Sequence, residues 1–378
     1  MRQRHFGRRS GLKVPPVNIG GMRFPQDMDE AVALIRHAID SGMTYIDTSR
    51  GYGDSELKLA RALKNGYREK VILSTKWSPW AMRVSDSDSA SADCVRRRID
   101  EQMKRLEVDY LDFYQVWSIN SREDYRQVVS RRGLLTGIRK AMDEGLVVHT
   151  GFTTHDDPKS LMKYIDEVDW CEVILFTYNM LNTTYAPVIA AAHERGIGTI
   201  IMNPVAGGKL AETSPVLMEL ARRVGASSVP ELALRYVLSN PNVDTLLSGI
   251  AKKTDVDGAI SAAEKGPFSR SQIKTIETFT ERVSREAGRF CTGCGYCMPC
   301  PQGVNIPEVM GCVQDARYWG ITETARKRYQ QLGKAGAEGC EECGQCETKC
   351  TQKLLIMEEM RHAREYLIIK PTKRTRTL

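Results

Sequence analysis

Residues 28–50 read MDEAVALIRHAIDSGMTYIDTSR. Over Met28–Ser41, the residues Met28, Ala31, Leu34, Ile35, Ala38 and Ile39 share one face at helical spacing. After Gly42 the pattern changes to a short β-rich run, Thr44–Ile46, which ends at Asp47. A helix followed at once by a strand is one unit of an alternating chain, and the alternation continues on both sides. Further apolar, β-rich runs occur at Val14–Gly20, Val71–Thr75, Tyr110–Val116, Val147–Phe152, Val173–Thr177, Gly198–Met202 and Thr245–Leu247. Helix-period segments such as Val95–Leu106 and Pro187–Arg195 lie between them. Eight strands alternating with helices imply a parallel sheet, and roughly 250 residues favour its closure into a (β/α)8 barrel of the TIM type. No G-x-G-x-x-G follows an early strand, which disfavours a Rossmann domain.

The chain of 378 residues is longer than one barrel needs, and its composition changes near residue 285. The expected organisation is a barrel over 1–270, a small, mostly helical ferredoxin-like iron–sulfur domain over 285–369, and a basic tail over 370–378. Apolar residues make up 42% and charged residues 27%, ordinary for a globular protein. The net charge of +7 gathers at the ends, in Arg2, Arg4, Arg8 and Arg9 and in Lys370, Lys373, Arg374 and Arg376. This points to solvated termini rather than a nucleic-acid surface. No stretch approaches the ~18 apolar residues of a membrane span. Arg8-Arg9 resembles a twin-arginine signal, but Ser10, Gly11, Lys13, Pro15, Pro16 and Asn18 follow instead of an apolar segment. The segment therefore reads as folded structure and the protein as cytoplasmic.

Eight of the 11 cysteines form two tight clusters, Cys291-x2-Cys294-x2-Cys297-x2-Cys300-Pro301 and Cys340-x2-Cys343-x2-Cys346-x3-Cys350. A [4Fe-4S] cubane needs four thiolates around one compact body, and a CxxCxxC loop can wrap three of its irons. In two-cluster ferredoxins the fourth cysteine of each run ligates the other cluster. That rule assigns Cys291, Cys294, Cys297 and Cys350 to one cluster, and Cys340, Cys343, Cys346 and Cys300 to the second. Two four-thiolate zinc sites could use the same ligands, although zinc ribbons typically pair two separate CxxC knuckles. Cys94, Cys171 and Cys312 read as ordinary buried thiols.

Barrel chemistry sits at the C-terminal ends of the strands. Those ends carry Asp47, Lys76, Trp117, Thr153, Thr154, His155, Tyr178, Asn179, Asn203, Ser248 and Gly249, with Tyr52 on the loop just after Asp47. A phenol with a pKa near ~10 is a weak acid at neutral pH, and a nearby ammonium makes it a stronger one. An aspartate would hold that ammonium charged and oriented. Each residue also has a structural reading: a turn cap, a surface ion pair, a packed loop ring. Their shared location favours the chemical one.

At these residues the chain resembles the aldo-keto reductase superfamily. Arg4–Pro25 is similar to its opening hairpin and first strand, Asp47–Glu56 (DTSRGYGDSE) to its Asp/Tyr motif, and Val71–Lys76 (VILSTK) to its Lys strand. Tyr110–Val116 (YLDFYQV) is similar to its fourth strand and Met202–Leu210 (MNPVAGGKL) to its seventh strand and loop. The match spans roughly residues 1–265, and the cysteine tail resembles the ferredoxin-domain branch. The resemblance implies NADP(H)-linked redox chemistry on a carbonyl or sugar-like small molecule, with Asp47, Tyr52 and Lys76 as three members of the catalytic tetrad. The family's fourth member, a His, is replaced by Trp117, whose indole donates a hydrogen bond but cannot exchange a proton. Elsewhere in the family, loss of this His accompanies a change of reaction. His155 is a candidate substitute partner and also reads as a solvent-facing residue. By resemblance, Tyr178 would stack on nicotinamide, Thr153 and Asn203 line the cofactor site, and Ser248-Gly249 meet the pyrophosphate. Lys252 and Lys253 would meet a 2′-phosphate, or are solvated lysines at a helix start. Gly258-Ala259 stands where many members carry an adenine-binding pair.

Nicotinamide exchanges two electrons and each cluster one. An external one-electron donor or acceptor, or a flavin as converter, would reconcile the two. Two other classes stay open: an electron-transfer scaffold with a degenerate barrel, and a lyase or isomerase that uses the Tyr/Lys pair.

Overall fold

The computed structural model describes residues 1–212, 214–286, 291, 295, 297–350 and 353–368. A hairpin, β1 (Arg4–His5) and β2 (Lys13–Val14), precedes eight parallel strands. These are β3 (Val17–Gly20), β4 (Tyr45–Asp47), β5 (Ile72–Trp77), β6 (Leu111–Val116), β7 (Val147–Thr153), β8 (Val173–Thr177), β9 (Gly198–Met202) and β10 (Thr245–Gly249). They pair in sequence order, and β10 closes on β3 to complete the barrel. The run read as Val14–Gly20 is broken by Pro15-Pro16 into β2 and β3, because proline cannot donate to a sheet ladder.

The helix Met28–Asp40 shows how local sequence produces the repeat. The Asp27 carboxylate accepts from the Glu30 amide (2.8 Å) and caps its start. Ala31, Leu34, Ile35, Ala38 and Ile39 are buried, and Gly42 at φ +96° lets the chain turn into β4. Each large side chain removed from water on this face contributes about 1.5–3 kcal/mol.

The N-terminal half of the barrel is filled by Phe6, Tyr45, Phe113, Val173, Ile200 and Leu247. Phe6 comes from the hairpin and meets Tyr45 and Phe113 edge-on at 5.2 and 5.5 Å. Its insertion depends on Gly7, whose φ is +64° and whose absent Cβ would lie 2.4 Å from the Gly198 amide nitrogen. Gly7→Ala combines the ~1–2 kcal/mol left-handed penalty with a backbone clash. It is expected to lower unfolding stability by more than about 2 kcal/mol in urea titration; an unchanged midpoint would show that the hairpin does not seal the barrel. Arg8 and Arg9 are part of this fold. Both amides donate to Gly196 O (2.8 and 3.0 Å), and the Arg9 guanidinium donates to Val168 O (2.6 Å) and Cys171 O (2.7 Å).

The described chain forms two compact units, Met1–Pro204 with Ala233–Ser269, and Val205–Leu232 with Arg270 onward. The single break expected near 270 does not anticipate that Val205–Leu232, which follows β9, packs with the C-terminal helices. The second unit contains helices Pro215–Arg223, Arg270–Glu286, Ile306–Arg317, Thr322–Gln331 and Ile356–Tyr366. Val309, Val313, Ala325, Tyr329 and Met360 build its core. Glu212 fixes the Val205–Leu232 segment there: its carboxylate accepts from the amides of Glu323 (2.8 Å) and Thr324 (2.9 Å), capping Thr322–Gln331. Lys209 pairs with Asp315, which also accepts from Arg328 (2.5 Å). Among the described residues, no helix is long and apolar enough to cross a membrane. The basic tail of 370–378 lies outside the described residues.

Candidate active site and cluster ligands

Strand register assembles the barrel site. Asp47 on β4 lies opposite Ser74 on β5, and Lys76 lies opposite Gln115 on β6. Lys76 belongs to β5 itself, because β5 keeps pairing with β6 as far as Trp77. The Lys76 ammonium forms an ion pair with Asp47 Oδ2 and donates to Thr48 O (2.9 Å), with 1% and 3% of the two paired side chains exposed. It lies 4.9 Å from the centre of the Tyr52 ring. Burial alone would pull the ammonium down, but Asp47 and Tyr52 outweigh it and hold Lys76 above the ordinary lysine value. Burial pushes the Asp47 carboxyl up, against Lys76, Ser74 and Gln115, which favour its charged form. The result is a phenol at the barrel mouth resting on a buried, fixed positive charge.

A second buried network anchors the loop that carries Tyr52. The helix Ser55–Ala62 starts three residues later, and its Glu56 is buried. Glu56 accepts from Thr75 Oγ1 (3.0 Å), Gln102 Nε2 (2.7 Å) and Arg105 Nε (2.9 Å). Tyr114 in turn donates to Gln102 Oε1 (2.9 Å). None of Glu56, Ser74, Gln102 or Gln115 stands out in the sequence. The available signal was a polar residue on a strand face that is otherwise apolar, as Gln115 is beside Leu111 and Phe113 in YLDFYQV.

Trp117 directly follows β6 and meets the Tyr52 ring edge-on (5.6 Å, 84°). Its six-membered ring occupies the space that a side chain at position 51 would take: a Cβ on Gly51 would lie 2.5 Å from Trp117 Cη2 and Cζ3. Trp80, on the loop after β5, donates to Ser118 O (2.6 Å). Asp88 shapes that loop by accepting from the amides of Val84 (2.7 Å) and Ser85 (3.1 Å) and from Arg98 Nη2 (2.6 Å). Burial pushes the Asp88 carboxyl up, but Arg98 and the two amides outweigh it and hold it at about 2. A carboxyl depressed in the folded state stabilises the fold above its unfolded value and loses that contribution as pH falls through the folded value. Asp88→Asn is expected to cost about 2 kcal/mol at neutral pH, with the gap closing between about pH 4 and pH 2. Paired urea titrations across that range check it, and a pH-independent gap would refute the assignment.

The other barrel residues singled out in the sequence also lie at the C-terminal ends of strands. Thr153 ends β7 and its hydroxyl oxygen accepts from the Ser118 amide (2.8 Å). His155, two residues later, is exposed, and its backbone N–H donates to Asn120 Oδ1 (2.9 Å). Tyr178 follows β8 and stacks on Tyr236 (6.0 Å, 22°). Asn203 follows β9 at φ +60°, and its carbonyl accepts from Asn179 Nδ2 (3.1 Å). Ser248 and Gly249 end β10, and Lys252 and Lys253 are exposed at the start of the helix Lys253–Lys265. Gly258 lies on that helix with open space where a side chain would be.

In the second unit, Cys297, Cys300, Cys340, Cys343 and Cys346 line one hollow, walled by Val304, Ile306, Ile356 and Met360. Cys291 packs against the same core and Cys350 is buried in it. Cys294 lies outside the described residues. Sulfur donors from both runs around one apolar hollow suit an iron–sulfur cluster, whose ligands are thiolates and whose potential depends on shielding from water. Cys94, Cys171 and Cys312 are fully buried, as expected of structural thiols, with Cys312 in the same helical core as Cys350.

Residues 16–281 match the aldo/keto reductase family, and residues 290–355 match a 4Fe-4S dicluster domain. The chain therefore belongs to the aldo/keto reductase family, as an oxidoreductase carrying an additional dicluster domain. L-galactose dehydrogenase of Arabidopsis thaliana is 28% identical over 305 residues, covering 72% of this chain and 93% of the relative. L-glyceraldehyde 3-phosphate reductase of Escherichia coli is 21% identical over 326 residues, covering 73% and 92%. The holo form of an aldo-keto reductase from Bacillus halodurans shares the fold, with a TM-score of 0.65 and 22% identity over 74% of this chain and 96% of that one.

Proposed function

We propose that the protein reduces or oxidises a carbonyl/alcohol pair on a small, sugar-like molecule with NADP(H), and that its two clusters are held by the eight clustered cysteines. The observation that carries this reading is the Lys76–Asp47 pair buried beneath Tyr52. Burying two charges costs several kcal/mol per ion before their attraction is counted. A barrel reduced to a scaffold would have no use for that cost. With Lys76 held charged, Tyr52 gives a proton to a carbonyl oxygen at the mouth during reduction and takes one from the alcohol during oxidation. Lys76 stabilises the phenolate left behind, and Asp47 keeps Lys76 in place. Trp117 occupies the position of the family's His without handling a proton, so Tyr52 is the sole acid and Trp117 fixes its ring plane. A sugar-like substrate is supported by the names of two relatives, one a galactose dehydrogenase and one a triose phosphate reductase.

NADP(H) supplies the two-electron redox step when bound. Thr153, Tyr178, Asn203, Ser248 and Gly249 would hold it, and the exposed Lys252 and Lys253 at a helix start suit its phosphates. The clusters supply one-electron chemistry when loaded, with Cys291, Cys294, Cys297 and Cys350 holding one and Cys300, Cys340, Cys343 and Cys346 the second.

Anaerobic mixing of cluster-loaded protein with NADPH and a small aldose tests the reading, following nicotinamide and cluster absorbance together. Loss of NADPH absorbance that depends on the aldose supports it. Failure of NADPH to bind or react would overturn it.

A further inference from the structure

Gln115 is fully buried inside the barrel and belongs to no part of the tetrad. Its amide nitrogen donates to Asp47 Oδ1 (3.0 Å) and approaches Ser74 Oγ at 2.8 Å, with Tyr45 Oη at 3.4 Å. Ser74 Oγ donates to the same Asp47 oxygen (3.3 Å). Lys76 meets the other carboxylate oxygen. Both oxygens of Asp47 are thus occupied by donors from two neighbouring strands.

Gln115 Oε1 has no partner among the described residues. Leaving a buried amide oxygen unsatisfied costs about 1–3 kcal/mol. The reversed amide would place that oxygen against Asp47, where two acceptors would repel. The orientation seen serves the carboxylate at the amide's expense. The titratable groups facing Asp47 are Lys76 from β5, Tyr45 from its own strand and, through Lys76, Tyr52 from the following loop. Tyr45 is buried and held well above the ordinary phenol value, by burial first and then by Asp47, so it stays neutral.

We infer that Gln115, assisted by Ser74, is a positioning residue that keeps Asp47 a carboxylate aimed at Lys76, and so acts on Tyr52 through two intermediaries. Its link to turnover rests on the function proposed above; its effect on Asp47 does not. Each donor to the charged form lowers a carboxyl's pKa, so removing one raises it. Gln115→Leu removes the amide while keeping an apolar side chain of similar reach. Ser74→Ala is the milder second variant, in case the leucine disturbs folding.

The experiment is 13C NMR titration of the full-length protein labelled at its aspartate carboxyls, with the Asp47 signal assigned by its loss in Asp47→Asn. The expected result is an upward shift of the Asp47 midpoint by about one pH unit or more in Gln115→Leu, and a smaller shift in the same direction in Ser74→Ala. The acid limb of kcat, measured with NADPH and glyceraldehyde, should move upward in parallel. An Asp47 midpoint unchanged in both variants overturns the inference, whatever the activity. A shifted midpoint in a protein without NADPH-dependent turnover leaves the inference standing and removes the proposed function instead.

Discussion

Tyr52→Phe should lower kcat for NADPH-dependent aldose reduction by about 10²–10⁴-fold, the range typical of losing a general acid. The substitution removes one oxygen and little else. The phenylalanine ring keeps its edge-on contact with Trp117 and its place beside the Lys76 ammonium. Lys76 keeps both of its hydrogen-bond partners, Asp47 and Thr48 O. Folding stability should therefore stay within about 0.5 kcal/mol, as for a substitution that creates neither a cavity nor an unpaired charge. Trp117 sharpens the test. In a site with a second proton-handling group, part of the rate would survive; an indole at that position offers no such route. Steady-state rates for the two proteins, with urea titrations alongside, separate the cases. A phenylalanine variant with wild-type kcat would show that Tyr52 is not the acid.

The residues that carry this argument were legible in the sequence because their signals are local. Asp47 ends one short β-rich run, Tyr52 lies five positions later on the loop that follows, and Lys76 closes another such run. The helical face of Met28–Ser41 and the two cysteine runs are local in the same way. What escaped was non-local. Gln115 reads as one polar residue in a strand until the register sets it beside Lys76 and across from Asp47. Glu56 reads only as the last residue of DTSRGYGDSE until Gln102 and Arg105, on a helix more than forty positions later, close over it. The segment Val205–Leu232 falls within the 1–270 span read as barrel, yet Glu212 caps a helix 111 positions further on. Charge and spacing within a short window reveal chemistry. Pairing between distant segments decides which charges are buried and what each one serves.

Asp47→Ala should cost about 3–5 kcal/mol of folding stability, because it leaves the Lys76 ammonium buried without its counter-ion. The deleted carboxylate is not itself a large source of stability, since the attraction between the buried charges largely repays their desolvation. The cost comes from the charge left behind, and this gives the variant a distinctive pH dependence. Without Asp47, burial dominates at Lys76 and pulls its pKa below that of the unfolded chain. The folded state then binds fewer protons than the unfolded state, so the variant's stability rises with pH and recovers part of the deficit on the alkaline side. In the wild type Lys76 is held above the ordinary value, so its contribution runs the opposite way and is lost as pH rises past the lysine range. The gap between the two proteins should therefore narrow from about pH 7 to pH 10. Asp47→Ala combined with Lys76→Met should recover more stability still, because removing both charges also removes the unpaired one. Urea titrations of the wild type, both single variants and the double variant complete the cycle. A gap that does not change with pH, together with additive single and double effects, would mean that the two side chains do not act as a charged pair.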